Sequence, residues 1–253
     1  MKEKEKSVGS SRGDLGVRVV LVEPEIGGNI GSVARIMKNF GFRDLVLVNP
    51  KVSLTDNEVE RFAMHGKDVL EGARVVGSID EAIENIDIVI GTSARIAKGD
   101  YNLLRTAITL NHLENFGKIC GSAAILFGKE SAGLTNKEVE KCDFLLTIDS
   151  SKEYRALNLS HAVAIILYSF YRMEKHTDKK EIYRPANREE REILMKTFES
   201  LVDALGLKPH KKRTAINSFK NVIGRSFITG RELHTLVGSF RKATKTIKEL
   251  KKD

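Results

Sequence analysis

The sequence predicts an α/β fold built on an open parallel sheet and followed by a small all-helical extension. Three observations predict it. Short β-branched runs alternate with helical stretches through the first two thirds of the 253 residues, the pattern of a parallel sheet covered on both faces. A polar stretch, Glu174-Lys-His-Thr-Asp-Lys-Lys-Glu181, then breaks the alternation. The charge divides at the same place: residues 1–173 carry 22 basic and 23 acidic side chains and residues 174–253 carry 20 and 11, so the whole net charge of +8 comes from the last part of the chain.

The elements follow in order. Residues 1–16 form a charged tail, and Val17–Val22 is a buried strand. Gly27 and Gly28 follow it. A helix is predicted from about Ile30 to Phe40, with Val33, Ile36, Met37 and Phe40 on one face and Gly41 as its stop. Leu45–Val48 is the second strand, closed by Asn49-Pro50. Glu58–His65 reads as a helix, Arg74–Val76 as a strand, Asp80–Asn85 as a helix, and Asp87–Ile90 as a strand ending at Gly91. Leu103–Phe116 is partly helical. Ala123–Phe127 is a strand ending at Gly128, Asn136–Lys141 a helix, Phe144–Ile148 a strand, and a long helix runs from about Asn158 to Met173. About six strands in residues 17–173 suffice for one sizeable core. A linker at 174–187 leads to Asn187, an N-cap with Glu190 three residues on. Leu194, Phe198, Leu201 and Leu205 then recur at helical spacing, with Gly206 and Pro209 ending that helix. Ile216, Phe219 and Ile223 predict a second helix. Leu233, Leu236, Phe240, Ile247 and Leu250 predict a third, completing a helical extension over 188–253.

Composition excludes several classes. With 41% hydrophobic residues the chain is not disordered throughout. Its most apolar stretch, Ala162–Tyr168, is too short to span a bilayer. Cys120 and Cys142 are the only cysteines, too few for a disulfide scaffold, and they resemble no metal pair. The charged start lacks the apolar centre of a signal peptide. These readings predict a soluble, cytoplasmic protein with no membrane contact and no metal.

The basic surplus has a pattern. Arg241, Lys245, Lys248 and Lys252 are spaced i, i+4, i+7 and i+11 and form one stripe on the third helix, away from its apolar face. Lys211, Lys212 and Arg213 form a second cluster. Such a stripe either is a solvated helix face or follows a nucleic-acid backbone, each phosphate contact releasing counterions. The net +9 of residues 174–253 favours the second reading.

Open parallel sheets bind ligands at the carboxyl ends of their strands. Three strands end here in small or polar residues: Gly91-Thr92-Ser93-Ala94, Phe127-Gly128-Lys129-Glu130-Ser131-Ala132-Gly133, and Ile148-Asp149-Ser150. Together they suggest one shared pocket. A nicotinamide site is disfavoured. Gly27-Gly28-Asn29-Ile30-Gly31 does not have the dinucleotide spacing, and the next strand ends in Asn49-Pro50-Lys51 without an acidic residue for the ribose. No P-loop occurs.

Three segments in order resemble the motifs of the SPOUT methyltransferases: Asn29-Ile-Gly-Ser-Val-Ala-Arg35, Leu126-Phe-Gly-Lys-Glu-Ser-Ala-Gly-Leu134, and Leu157-Asn-Leu-Ser-His-Ala162. Within that class the chain is most similar to the TrmH-like 2′-O-methyltransferases. Gly91-Thr-Ser-Ala-Arg95 and the continuation Leu134-Thr-Asn136 resemble the TrmJ branch, which also carries a C-terminal helical extension. The resemblance covers about residues 17–173. It implies a deep trefoil knot at the C-terminal side of the sheet, a homodimer with the active site at the subunit interface, and tRNA as substrate. The implied reaction is methylation of the ribose 2′-hydroxyl of a cytidine or uridine at the first position of the anticodon loop (position 32). Alternatives are another tRNA site, rRNA, or a non-catalytic RNA-binding protein with this fold. The implied cofactor is S-adenosyl-L-methionine, held by Thr92, Ser93, Ala94, Gly128, Ile148, Arg155, Ala156, Leu157 and Asn158.

The resemblance also assigns roles. Arg35 serves the target hydroxyl and an adjacent phosphate. Because guanidinium is very hard to deprotonate, a clamp that positions the hydroxyl and stabilises developing alkoxide is physically easier than a general base. Asn29 is either a helix N-cap, a site residue, or both. Glu130 pairs with Arg35 or caps the following turn. Asn158 caps the last helix or lies beside the cofactor, and Ser160 helps orient the substrate. His161 is read as structural or superficial. Many members have serine where this chain has Ala156, so a hydroxyl contact is missing there, and Arg155 adds a positive charge nearby.

Overall fold

The computed structural model describes residues 16–94, 106–111, 121–151, 153–175, 186–226 and 228–251. The tail before residue 16, Arg95, most of Leu103–Phe116, most of the linker, Cys120 and Lys252 lie outside the described residues.

The first part is β1 (Val17–Val22), α1 (Gly27–Phe40), β2 (Asp44–Val48), α2 (Asn57–Ala63), α3 (Lys67–Glu71), β3 (Arg74–Val76), α4 (Ile79–Ala82), β4 (Ile88–Thr92), β5 (Ala107–Thr109), β6 (Ala123–Phe127), α5 (Asn136–Val139), β7 (Phe144–Thr147) and α6 (Leu159–Lys175). All seven strands run parallel, in the order β3-β2-β1-β6-β4-β7-β5. The period-2 alternation of a strand sorts the side chains into two layers. In β1, Val19 and Leu21 join the core beneath α1, α2, α3 and α6, whereas Val20 and Val22 join the opposite core beneath α4 and α5. β6 does the same with Ile125 and Phe127 on one side and Ala124 and Leu126 on the other. Each buried valine, leucine, isoleucine or phenylalanine among them contributes roughly 1.5–3 kcal/mol. Among the described residues no helix is long and apolar enough to cross a membrane.

Several elements differ from the sequence expectation. Helix α1 starts at Gly27 rather than Ile30, so Ile26 is its N-cap and Asn29 is not. Gly41 stops the helix as expected, in the left-handed conformation with φ 82°. α3 had no periodic run long enough to announce it, and the three-residue edge strand β5 falls inside the stretch Leu103–Phe116 that reads as partly helical in the sequence. Pro209 opens a helix instead of ending one, since proline fits the first helical position, where its missing N–H is not needed.

The second part is α7 (Arg188–Leu205), α8 (Pro209–Arg225) and α9 (Gly230–Leu250). The Asn187–Glu190 capping box forms, and Thr229 and Glu232 form another at the start of α9. The three helices enclose a small core in which the rings of Phe198 and Phe219 stack at 4.0 Å and Phe240 lies 5.5 Å from Phe198. They dock on the amino ends of the central strands. Arg188 Nη1 donates to the carbonyls of Ile83 (3.3 Å) and Ile86 (3.5 Å), ahead of β4. Lys220 Nζ donates to the Glu140 carbonyl, ahead of β7. Arg191 is buried at this contact and Asp143 half-buried. Burial pushes the Asp143 carboxyl up and the Arg191 guanidinium down from their ordinary pKa values, each opposed by charge across the contact.

Gly224 and Gly238 make opposite predictions. A Cβ on Gly224 would sit 2.2 Å from the Asp143 carbonyl oxygen, whereas one on Gly238 would meet nothing within 4 Å. Gly224→Ala should therefore destabilise by about 1–3 kcal/mol through overpacking. Gly238→Ala should stabilise by about 0.5–1 kcal/mol through helix propensity. Denaturant titration of both variants checks the two signs.

Candidate active site

The carboxyl ends of β4, β6 and β7 converge with the loop 155–157 and the start of α6 on one cavity of about 230 Å³. Thr92, Ser93, Ala94, Gly128, Ile148, Arg155, Ala156 and Leu157 all line it, so eight of the nine residues expected around a cofactor are brought together. The ninth, Asn158, follows immediately on the chain. The lining is apolar at Phe127, Leu134, Leu146, Ile148, Leu157, Leu159 and Ile166, and carries the charged groups Lys129, Glu130 and Arg155. The Thr92 hydroxyl is turned inward to the sheet, donating to the Leu126 carbonyl at 2.9 Å.

The loop after β6 folds back on itself. Gly133, in the left-handed conformation at φ 68°, donates to the Lys129 carbonyl at 2.7 Å. A Cβ on Gly128 would lie 2.2 Å from the Leu134 nitrogen. Close approach at Gly128 is thus required by the chain's own turn, independently of any ligand.

That turn carries Glu130 to the start of α1. Its Oε2 accepts the Glu25 N–H at 2.9 Å, and its Oε1 accepts the Ile26 N–H at 3.3 Å and the Asn29 amide at 2.8 Å. It does not pair with Arg35. α1 has no side-chain cap and no acidic residue in its first turn, so Glu130 places a carboxylate at the positive end of the helix dipole. Asn29 Oδ1 accepts from Asn158 Nδ2 at 2.9 Å, and Asn158 Oδ1 accepts from the Ser160 N–H at 2.9 Å and hydroxyl at 2.7 Å. Asn158 therefore caps α6 and also reaches Asn29; the two readings of that residue hold together. Asn29 and Ser160 are buried, and His161 is exposed.

Arg35 stands apart. It lies six residues beyond Asn29, about 9 Å along the helix, and its side chain is exposed, with no hydrogen bond or ion pair among the described residues. The loop after α2 seats it: a Cβ on Gly66 would meet the Arg35 backbone nitrogen at 2.7 Å.

In the extension, Arg241, Lys245 and Lys248 line a groove between α7 and α9. Lys196 and Ser200 of α7 complete it, which periodicity within one helix could not reveal. Glu249 is the one carboxylate among the lining residues, 3.8 Å from Lys245. The second cluster is partly neutralised: Lys212 pairs with Asp203 and Arg213 with Glu140, at 3.3 Å, whereas Lys211 is exposed.

Residues 16–168 match the SpoU rRNA Methylase family. The chain belongs to that family. It is 40% identical over 228 residues to a tRNA (cytidine-2′-O-)-methyltransferase TrmJ of Methanocaldococcus jannaschii, covering 89% of this chain and 98% of that one. It is 35% identical to the tRNA (cytidine/uridine/adenosine-2′-O-)-methyltransferase TrmJ of Pseudomonas aeruginosa, over 92% of this chain and 96% of that one. Among solved structures it superposes on TrmJ from Z. mobilis with a TM-score of 0.63 and 26% identity, covering 89% of this chain and 97% of the other. The methylase assignment and the placement in the TrmJ branch rest on these likenesses over nearly the whole length. Among the described residues no group of three His, Cys, Asp or Glu is placed to hold a metal ion.

Removing the bridging carboxylate tests the site's architecture. Glu130→Ala leaves two backbone N–H groups and one amide without their acceptor. It should cost about 2 kcal/mol, a melting-temperature loss of about 4–8 °C at this chain length, measured by calorimetry.

Proposed function

We propose that this chain transfers a methyl group from S-adenosyl-L-methionine to the ribose 2′-hydroxyl of a cytidine or uridine in tRNA, at the first position of the anticodon loop (position 32). The observation that carries this reading is the convergence of the three strand ends on one cavity, whose lining residue Glu130 is tied through Asn29 to Asn158 and Ser160, in a methylase of this family. The relatives' tRNA ribose specificity supplies the substrate.

The residues present fit the proposed cofactor. Leu134, Leu146, Ile148, Leu157 and Ile166 offer apolar surface for a flat base, and the strand-end backbone offers hydrogen bonds to its edge. Arg155 offers a cation for a carboxylate. When bound, the cofactor supplies an electrophilic methyl group. Arg35, exposed and without a partner among the described residues, holds a phosphate next to the acceptor ribose and keeps its hydroxyl in line. Asn29, Glu130, Asn158 and Ser160 hold the cavity's walls in register.

The full architecture proposed is a knotted methyltransferase unit over 17–173, a linker over 174–187 and a basic RNA-binding extension over 188–253. Support for the knot comes from the route of the chain. β7 lies three strands from β1, yet directly afterwards Asn158 reaches Asn29 and α6 packs on α1. Support for a homodimer comes from the outer face of α6, where Ile165 and Tyr168 are exposed and Tyr168 lies 5.9 Å from the Phe40 ring of α1.

Two measurements test the reading. Incubation with labelled cofactor and unmodified tRNA, followed by product mapping, should give a 2′-O-methyl ribose in the anticodon loop. Arg35→Ala should lose about 10²-fold or more of that activity while binding the cofactor as before. Absence of methyl ribose from every tRNA and rRNA would sink the assignment. Separately, replacing Arg241, Lys245 and Lys248 by alanine should weaken tRNA binding and flatten its log–log salt dependence by about 2–3 units, read by filter binding across a salt series.

A further inference from the structure

The loop between β7 and α6 carries one side chain that the site described above leaves unused. Tyr154 is 76% exposed, the most exposed of the large hydrophobic side chains among the described residues. It makes no hydrogen bond or ring contact there. Its loop is nevertheless held. Ser150 Oγ donates to the Arg155 carbonyl at 3.4 Å, the Glu153 N–H donates to Ser151 Oγ at 3.2 Å, and Asn158 is anchored on Asn29. The tyrosine therefore stands on a tethered turn, one residue before Arg155, which begins the stretch lining the cavity.

We infer that Tyr154 is a stacking platform for a nucleobase of the RNA, at or next to the acceptor nucleotide. The argument is one of position and chemistry. An acceptor ribose must bring its hydroxyl to the cavity from solvent, and Arg155, Ala156 and Leu157 are lining residues that are also exposed to solvent. A base attached to that ribose, or to its neighbour, projects outward past the same residues. Unpaired bases are held by aromatic faces and guanidinium groups, and Tyr154 and Arg155 supply one of each on adjacent residues. Stacking reads no hydrogen-bond pattern, so this contact contributes affinity and orientation and leaves base identity to other groups. The inference rests on the RNA methyl transfer proposed above.

The absence of tryptophan from the chain makes a direct test available. Tyr154→Trp creates a single fluorescent reporter, and stacking predicts that added tRNA quenches it. In the methylation assay, Tyr154→Ala should lower kcat/KM for tRNA about tenfold or more, chiefly through KM. Its cofactor affinity should match the parent's, and Tyr154→Phe should recover most of the loss. Parental kcat/KM in Tyr154→Ala, or a Tyr154→Trp protein that binds tRNA without quenching, would overturn the inference. A changed oligomeric mass of Tyr154→Ala by light scattering would also overturn it, in favour of a subunit contact. If the parent protein itself methylates no RNA, the reaction assignment fails instead; an active parent with an indifferent Tyr154 defeats the stacking contact alone.

Discussion

A single carboxylate ties together segments that are about a hundred residues apart in the chain. Glu130 accepts the N–H groups of Glu25 and Ile26 and the amide of Asn29. Through Asn29 it is linked to Asn158 and Ser160. The donors all point one way: the Ser160 hydroxyl into Asn158, the Asn158 amide into Asn29, the Asn29 amide into Glu130. Bonds in such a chain polarise one another, and the direction fixes which end of each amide faces which neighbour. The chain depends in turn on the pinched turn at Gly128–Gly133, which aims Glu130 across the gap between β1 and β6. At that gap the strand order reverses, since β2 and β3 lie to one side of β1 and all later strands to the other. Such a reversal opens a crevice at the carboxyl edge of a parallel sheet.

The sheet thus has two working edges. The cavity occupies the carboxyl edge, and the helical extension is seated on the amino edge, across strands of about five residues, or roughly 17 Å. The seat combines close backbone packing at Gly224 with a half-buried acid, Asp143, and a buried guanidinium, Arg191. Asp143 is satisfied by the Val89 N–H at 2.7 Å, whereas Arg191 Nη1 has no hydrogen-bond partner among the described residues. Such an acid and guanidinium add little net stability, but losing Asp143 leaves the Arg191 charge buried without it.

Much of this was legible in the chain itself. β-branched runs marked the long strands, because strands buried on both faces read as continuous apolar segments. Gly41 and the Asn187–Glu190 pair marked helix ends through their own local chemistry. What escaped was non-local. Asn29 looked like an N-cap because the first apolar helical residue is Ile30, yet the helix begins three residues earlier with its capping carboxylate supplied from Glu130. Gly31 and Gly66 carry no local signal, although Cβ atoms there would collide with the backbone of the neighbouring segment at 2.2 and 2.7 Å. Lys196 lies on a different helix from the stripe it joins. In each case the partner is distant in sequence, and no window along the chain contains both members.

The same saturation separates two kinds of polar residue at the site. Asn29, Asn158, Ser160 and Glu130 spend their hydrogen bonds on one another or on nearby backbone, so they maintain shape. Arg35 and Arg155 are exposed, and a guanidinium cannot accept a proton. In the proposed transfer the acceptor hydroxyl must shed its proton as the new C–O bond forms. A cation beside that hydroxyl eases the loss by stabilising the developing alkoxide, and a phosphate held by the same cation fixes the ribose in line. The division of labour is therefore between an internally satisfied frame, its one carboxylate saturated by N–H donors, and cations left open for a polyanion.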